Sequence, residues 1–317
     1  MLLLHSLPKV KDTPENREFR KYFYSKWGKE NCIISARERH ADYPDFTQRL
    51  SVKAAWGGAE HYHLDGRTVA VDDDNYLLIN DQRTYASSLR SSRPVHSFSI
   101  FFRPGLAEET LGAMLAPAGR MLEDGVEPAA RSIEFAEMLR PHDARVSPIL
   151  RYIAREADRG LTDDLWYEEQ FSFLLERMLR VHRTDVEAIN SLKSSRQATR
   201  REIFRRIGWS TDCINTFYMR TLGMGDLAAS ACLSRFHFIR LFQAIHGVTP
   251  FVFLQRKRAE VARRLLLSTK LDQARIAAQV GFESRSTMFR QLRRLTGVDA
   301  RTLRRGQTPA AGDEALH

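Results

Sequence analysis

The chain has 317 residues, of which 43% are hydrophobic and 28% are charged, with 17 Gly and 11 Pro. This composition is typical of a globular protein and excludes a collagen-like, disordered or fibrous chain. The formal net charge is +10, but residues 196–306 hold 22 Lys+Arg against 7 Asp+Glu, whereas residues 1–195 hold 27 against 30.

The basic segment is rich in arginine, with 20 Arg and 2 Lys between residues 196 and 306. Because the guanidinium fork suits phosphates and guanine edges, this segment predicts a polyanionic partner, and double-stranded DNA is the first choice. A solvated basic surface is the simpler alternative. No apolar run reaches the roughly 18 residues of a membrane span, and three scattered cysteines do not make a disulfide framework. We therefore expect a cytoplasmic protein without a membrane partner.

The first part of the chain, to about residue 105, has the pattern of short β-strands. The segments 32–37, 50–56, 60–64, 68–71, 76–79 and 95–102 are apolar or alternate, with turn residues between them. The pair Asp65-Gly66 predicts a two-residue hairpin turn, because both central positions of a type I′ turn need positive φ. Strands of this spacing predict an antiparallel barrel or sandwich.

The second part, residues 106–195, is predicted to be helical. One helix is expected to begin near Pro148 and to end before Gly160, and Asp163 or Asp164 is placed to cap the next one. The face of that second helix carries an apolar stripe, which predicts either a core-facing side or a dimer face. Its residues are Trp166, Phe171, Leu174, Leu175, Met178 and Leu179.

The third part, residues 196–306, contains one pattern twice, at 226–242 and at 275–292. Each copy has a short helix with paired alanines, a turn, a serine (Ser234 or Ser284) and an arginine-rich second helix. Small residues let the first helix pack closely on the second, and the serine can accept a hydrogen bond from an unpaired N–H at the helix start. This pattern predicts two helix-turn-helix units.

Residues 201–305 resemble the DNA-binding domain of AraC/XylS-type transcriptional regulators. The resemblance rests on LAASACLSRFHFIRLF at 227–242, HGVTPFVFLQRKRAEVARRLLLST at 246–269 and IAAQVGFESRSTMFRQLRRLTGV at 276–298. It implies that a long helix links the two units and that their second helices enter successive major grooves. The implied DNA-binding residues are Ser234, Arg235, Phe236, Ile239, Arg240, Ser284, Arg285, Ser286, Thr287 and Arg290.

The chain departs from the family pattern at Cys232, where the first turn usually has glycine, whereas the second copy keeps Gly281. If φ is positive there, a cysteine costs some strain. We expect Cys232 to be a small buried apolar residue. A thiol that senses oxidation is the alternative.

The stretch 57–80, followed by VHSFSIFF, is similar to the cupin-like effector domain of the same family. The resemblance implies a small-molecule effector, for which Trp56, His61, His63 and Arg83 are the candidate residues. His61 and His63 project from the same side of one strand and could be metal ligands, with His96 as a distant partner. No third ligand follows at a suitable spacing, so we predict no metal and no cofactor.

The sequence thus predicts an α+β protein that is a transcriptional regulator and not an enzyme. Its expected organisation is a cupin-like β-barrel sensor at 1–105, a helical linker and dimerisation region at 106–195, a DNA-binding domain at 196–306 and a disordered tail at 307–317. A homodimer and, for an activator, RNA polymerase are the expected partners; activation and repression both remain open. The alternatives are a metal-dependent cupin enzyme with a DNA-binding appendage and a non-specific architectural DNA binder.

Overall fold

The computed structural model describes residues 1–6, 16–116, 133–193 and 196–297. The predicted tail at 307–317 and the end of the predicted DNA-binding domain lie outside these residues. The chain divides into two compact units, Met1–Gly208 and Trp209–His317. The fold is α+β, with a curled sheet in the first unit and helices in the second.

The first unit contains one eight-stranded sheet in the order β1-β2-β7-β3-β6-β8, and β4 joins it by pairing with β5 and β7. All its pairings are antiparallel except that of β1 with β2. The strands are β1 (Leu2–Leu4), β2 (Cys32–Gln48), β3 (Ser51–Trp56), β4 (Glu60–Leu64), β5 (Arg67–Val71), β6 (Asn75–Ile79), β7 (Arg83–Phe101) and β8 (Leu139–Pro141).

The predicted hairpin turn is confirmed. Asp65 and Gly66 both have positive φ, 51° and 70°, and they connect β4 to β5 with Leu64 opposite Arg67. A type I′ turn has this geometry, and its twist matches that of the two strands it joins.

Strands β2 and β7 are much longer than the sequence pattern predicted, because they pair with each other along almost their whole length. Their register shifts between Glu38 and His40 and again between Tyr43 and Phe46. Pro44 lies in the second shift, and Pro94 lies opposite the first. Proline has no N–H to donate, so it is tolerated in a sheet where the ladder is interrupted.

The helices of the first unit pack on both faces of the sheet: Phe171 of one helix joins Phe98 on one face, and Phe23 of the first helix joins Ile34 and Phe101 on the other. Pro148 lies in the first turn of α3, and the Asp163 carboxylate accepts a hydrogen bond from the Trp166 N–H at 3.1 Å at the start of α4, both as predicted. These helices, with the first half of α5, are α1 (Arg17–Lys26), α2 (Leu106–Leu115), α3 (Ser147–Asp158), α4 (Asp164–Ser191) and α5 (Gln197–Phe217).

The apolar stripe of α4 belongs to the core of this unit. Phe171, Leu174, Leu175 and Met178 have no exposed surface and join a cluster that includes sheet residues such as Phe98. Burial of each such side chain stabilises the fold by about 1.5–3 kcal/mol. The stripe is therefore not available as a dimer face, and that alternative is wrong.

One element of the predicted helical region is a strand. Strand β8 pairs with β6, with Leu139 opposite Leu77. A three-residue strand has no periodicity that a sequence pattern could reveal, and its pairing is decided by the neighbouring edge.

The second unit is helical throughout its described residues. Its helices after α5 are α6 (Met224–Ser230), α7 (Arg235–His246), α8 (Pro250–Ser268), α9 (Gln273–Gln279) and α10 (Arg285–Thr296). None of the described helices of the chain combines the length and apolarity that crossing a bilayer requires.

Candidate nucleic-acid interface

The first predicted helix-turn-helix unit consists of α6 and α7. The Ser234 hydroxyl caps α7 by accepting a hydrogen bond from the His237 N–H at 3.5 Å. Leu227 and Ala228 on α6 are buried, as are Phe238 and Phe242 on α7. The cap and Ala228 thus do what the sequence pattern predicted, whereas Ala229, the other alanine of the pair, is exposed.

The second unit, α9 and α10, repeats this construction. The Ser284 hydroxyl accepts a hydrogen bond from the Thr287 N–H at 3.1 Å, which caps α10. Ala277 on α9 and Met288 and Leu292 on α10 are buried. Both second helices therefore have one side fixed in a core and the other side free to meet a ligand.

The two turns differ at one residue. Gly281 has φ +84°, and Cys232 occupies the matching place with φ 51°. The prediction that Cys232 is buried is wrong, because its side chain is exposed. A residue with a Cβ in this region costs about 1–2 kcal/mol.

The outer face of α7 carries Arg235, Phe236 and Arg240, which are all exposed, whereas Ile239 is partly buried. Phe236 is 73% exposed, which is unusual for an aromatic side chain without a partner surface. The Arg240 guanidinium lies 6.0 Å from the centre of the Phe236 ring, one helical turn away. The two side chains therefore form one cationic and apolar surface.

The outer face of α10 carries Arg285, Ser286 and Arg290, which are exposed. Thr287 is partly buried, and its hydroxyl lies 3.0 Å from the Ser284 hydroxyl. Among the ten predicted DNA-binding residues, eight are thus exposed, and Ile239 and Thr287 lie at the edge of the buried side.

The first arginine of each second helix lies back towards the start of the preceding helix. A Cβ on Gly225 would lie 2.9 Å from an Arg235 guanidinium nitrogen. In the second unit, backbone N–H groups at the start of α9, and less strongly the Arg285 charge, lower the pKa of Asp272. Arg235 and Arg285 therefore differ in placement from Arg240 and Arg290, which lie further along their helices.

Helix α8 links the two units. Its first turn is capped by the Thr249 hydroxyl, which accepts from the Val252 N–H at 3.4 Å, and contains Pro250. Arg258, which the sequence did not single out, is only 8% exposed and donates to the carbonyl oxygens of Tyr218 at 2.7 Å and Arg220 at 2.8 Å. The sequence signal that could have identified Arg258 is its position one helical turn from Leu254 and from Ala262, which are both buried.

The four candidate effector residues contact separate partners. The Trp56 ring lies 5.2 Å from the His96 ring and 5.8 Å from the Arg151 guanidinium carbon. The Arg83 guanidinium is paired with Asp65 and, at 2.9 Å, with Glu137. These contacts do not describe one pocket.

The pair His61 and His63 lies on β4, and His63 is hydrogen-bonded to both neighbouring strands. His63 makes hydrogen bonds through both ring nitrogens, with the Thr68 hydroxyl at 3.0 Å and the Ser88 hydroxyl at 2.9 Å. Burial, and then the neighbouring His63, lower the pKa of His61. In the described part of the chain, no three His, Cys, Asp or Glu side chains are grouped to hold a metal ion.

Comparisons with known proteins show which domains the C-terminal part of the chain is similar to. A family model described as a helix-turn-helix domain matches residues 227–306. The probable transcriptional regulator LumQ of Photobacterium leiognathi is 28% identical over 85 residues, which are 27% of this chain and 34% of that protein. The HTH-type transcriptional regulator Rv1931c of Mycobacterium tuberculosis is 39% identical over 75 residues, 24% of this chain and 29% of that protein.

A solved structure of ToxT from Vibrio cholerae aligns with 87% of this chain and 98% of its own, at 12% identity and a TM-score of 0.33. The chain matches about a third or less of the length of the two curated relatives. The C-terminal part of the chain carries a helix-turn-helix domain of the AraC/XylS type.

Proposed function

We propose that the protein is a sequence-specific DNA-binding transcriptional regulator, whose two second helices read bases in successive major grooves. One observation carries this proposal: Arg240 and Arg290 are exposed at matching places, six residues after the capping serine of each unit. Helix α8 has 19 residues, so it is about 28 Å long. That length is comparable with the roughly 34 Å helical repeat of DNA.

The exposed residues divide by chemistry. Arg240 and Arg290 can each donate two hydrogen bonds to a guanine edge, and Phe236, Ile239 and Thr287 can contact thymine methyl groups. Arg235 and Arg285, which lie back towards the preceding helix, suit backbone phosphates and would position the protein without reading sequence. Ser234, Ser284 and Ser286 lie at the start of the second helices, where hydroxyl groups commonly meet phosphates.

The rest of the function is proposed on the same basis. The first unit would bind a small-molecule effector, and the chain would act in the cytoplasm as a homodimer, with RNA polymerase as a partner if it activates. We also propose the domain boundaries that the sequence predicts, after residues 105, 195 and 306. An enzyme is the less favoured class, because both ring nitrogens of His63 are already hydrogen-bonded.

The test compares Arg240→Ala and Arg290→Ala with Arg264→Ala on the linking helix. Binding is measured on the operator, found by genome-wide footprinting, and on scrambled DNA at two salt concentrations. Each reading arginine should contribute about 1–3 kcal/mol on the operator and little on scrambled DNA. Arg264→Ala should have the same small effect on binding to the operator and on binding to scrambled DNA.

Equal losses for all three variants on both DNAs would mean that the second helices do not read sequence. That result would favour the non-specific architectural binder, since phosphate contacts alone give no specificity ratio. Stoichiometric metal that is lost in His63→Ala would instead favour the enzyme.

A further inference from the structure

Helix α1 and the turn that follows it carry positive charge in a part of the chain that is otherwise acidic. Residues 16–30 hold five Lys+Arg and two Asp+Glu, whereas the other residues of the range 1–195 hold 22 Lys+Arg and 28 Asp+Glu. A segregated cluster of cations indicates an anionic partner more strongly than cations that are scattered among carboxylates. The five cations are Arg17, Arg20, Lys21, Lys26 and Lys29.

The apolar side of α1 is packed on the sheet. Phe23 is 7% exposed, and its ring stacks on that of Trp27 with 4.6 Å between the ring centres. The Trp27 ring in turn meets the Phe101 ring edge-on, with 4.8 Å between the ring centres. Because these contacts bury the apolar side, α1 does not suit insertion into a lipid bilayer. They also fix which side of the helix faces outward.

The outer side of α1 combines cations with tyrosine rings. Tyr22 and Tyr24 are each 52% exposed. The Lys26 amine lies 5.7 Å from the centre of the Tyr22 ring, and the Arg20 guanidinium carbon lies 5.6 Å from the centre of the Tyr24 ring. At an exposed site, each such contact attracts the cation to the ring by about 0.5–1 kcal/mol. We call the five cations and the two tyrosines the basic surface.

Three cations of the basic surface are not neutralised by the described part of the chain. Arg17, Lys21 and Lys29 are exposed, and no carboxylate of the residues that the structure describes lies within ion-pair distance of them. Lys26 differs, because its amine lies 3.1 Å from the Glu30 carboxylate. Glu30 also pairs with the N-terminal ammonium group, at 3.0 Å. The basic surface therefore keeps most of its positive charge for a partner.

The residue types favour phosphate groups over an acidic protein surface. Lysine is depleted in protein–protein interfaces, and three of the five cations are lysines. Arginine, lysine and tyrosine side chains are, by contrast, common hydrogen-bond donors to DNA phosphates. We propose that the basic surface binds phosphates of the DNA duplex that flanks the operator. It adds affinity there without reading sequence.

This inference rests on the proposed function, which brings the same chain to the operator. Both units belong to one chain, so a contact that is weak by itself becomes intramolecular once the second helices are bound. Affinity should therefore depend on the length of the duplex. A regulator that touches DNA only through its two second helices would be indifferent to the flanks.

The test measures binding of the full chain to two duplexes at several salt concentrations. One is the operator trimmed to the base pairs that the bound sites share, and the other has about two helical turns of scrambled sequence added on each side. Arg17→Gln/Lys21→Gln should bind the extended duplex about fivefold or more weakly than the wild type does. Its salt slope should fall by about two, since each lost phosphate contact changes the slope by about 0.9. On the trimmed duplex it should match the wild type.

The matched control is Arg39→Gln/Arg93→Gln, which removes the same charge from two exposed arginines elsewhere in the first unit. It should bind both duplexes as the wild type does. Arg17→Lys/Lys21→Arg keeps both charges and should also bind like the wild type. Weaker binding by that variant would make the two residues structural and would overturn the proposal.

Equal affinities of the glutamine variant and its control for the extended duplex would also overturn the proposal. So would a loss of self-association in the glutamine variant, measured by sedimentation without DNA, because the basic surface would then hold a second copy of the chain. The proposed function fails separately, if the wild type binds the operator and scrambled DNA equally well.

Discussion

The Arg258 Nε donates a hydrogen bond to the Tyr218 carbonyl oxygen at 2.7 Å, although the two residues are 40 positions apart. A second bond from the same guanidinium reaches the Arg220 carbonyl oxygen at 2.8 Å. The linking helix α8 is thereby fixed to the chain that follows α5. A Cβ on Gly281, in the second turn, would lie 3.0 Å from the same Tyr218 carbonyl oxygen.

We expect Arg258→Met to lower the free energy of unfolding of the Trp209–His317 unit by about 2–3 kcal/mol, because the Tyr218 carbonyl loses a buried hydrogen bond and the Arg220 carbonyl loses a partly buried one. Arg258→Lys keeps a charge but not the fork, so its loss should be smaller. Hydrogen exchange of the α8 amides in the full chain reports on this unit. A methionine variant with unchanged exchange would show that the two bonds contribute nothing.

Gly281 should tolerate alanine far less well than Gly247. Both have positive φ, +84° and +69°, so both substitutions incur backbone strain. A Cβ on Gly281 would also lie 2.8 Å from the Met219 carbonyl oxygen, whereas a Cβ on Gly247 would meet open space. We expect Gly281→Ala to cost about 3 kcal/mol and Gly247→Ala about 1 kcal/mol, measured by chemical denaturation. Equal costs would refute the close approach at the turn.

Cys232→Gly should stabilise the first helix-turn-helix unit. Glycine adopts the positive φ of 51° without the strain that a Cβ causes. Because the thiol is exposed, its removal costs no buried surface. Glycine loses more entropy on folding, so the expected net gain is about 0.5–1 kcal/mol. The measurement is hydrogen exchange of α6 and α7, with Cys213→Ser as the control for removing a thiol. A lower stability would show that the cysteine makes a favourable contact.

His246 should make the second unit less stable in acid. Burial lowers its pKa to about 4, and its Nε2 lies 2.9 Å from the Thr211 hydroxyl. The unfolded chain takes up the proton near pH 6.5, before the folded one does, so stability falls as the pH falls from about 6.5 towards 4. The ring is only partly buried, so we expect a loss of about 2 kcal/mol over this range.

The check is α7 and α8 hydrogen exchange, corrected for its own pH dependence, in the wild type and in His246→Gln. The glutamine variant should lack this part of the pH dependence. His142, whose pKa burial also lowers to about 4, lies in the first unit and does not affect these amides directly. An identical pH response in both proteins would contradict the assignment to His246.

The sequence was sufficient where contacts are local. The caps at Ser234 and Ser284, the turn at Asp65-Gly66 and the helical spacing of the α4 stripe each depend on residues within a few positions of one another, whereas the burial of that stripe depends on distant sheet residues such as Phe98. A cap or a helical stripe is a property of its own segment, so the pattern and the structure agree.

The sequence by itself determined that a sheet-forming half precedes a repeated, basic helix-turn-helix half. The tertiary structure decided what depends on distant partners: the full length of β2 and β7, the strand at Leu139–Pro141, the separation of Trp56 from Arg83 and the exposure of Cys232. It also decided that Lys53 points inward. Alternation along β3 shows which residues share a face, but only the pairing of that strand with β6 and β7 determines which face is enclosed.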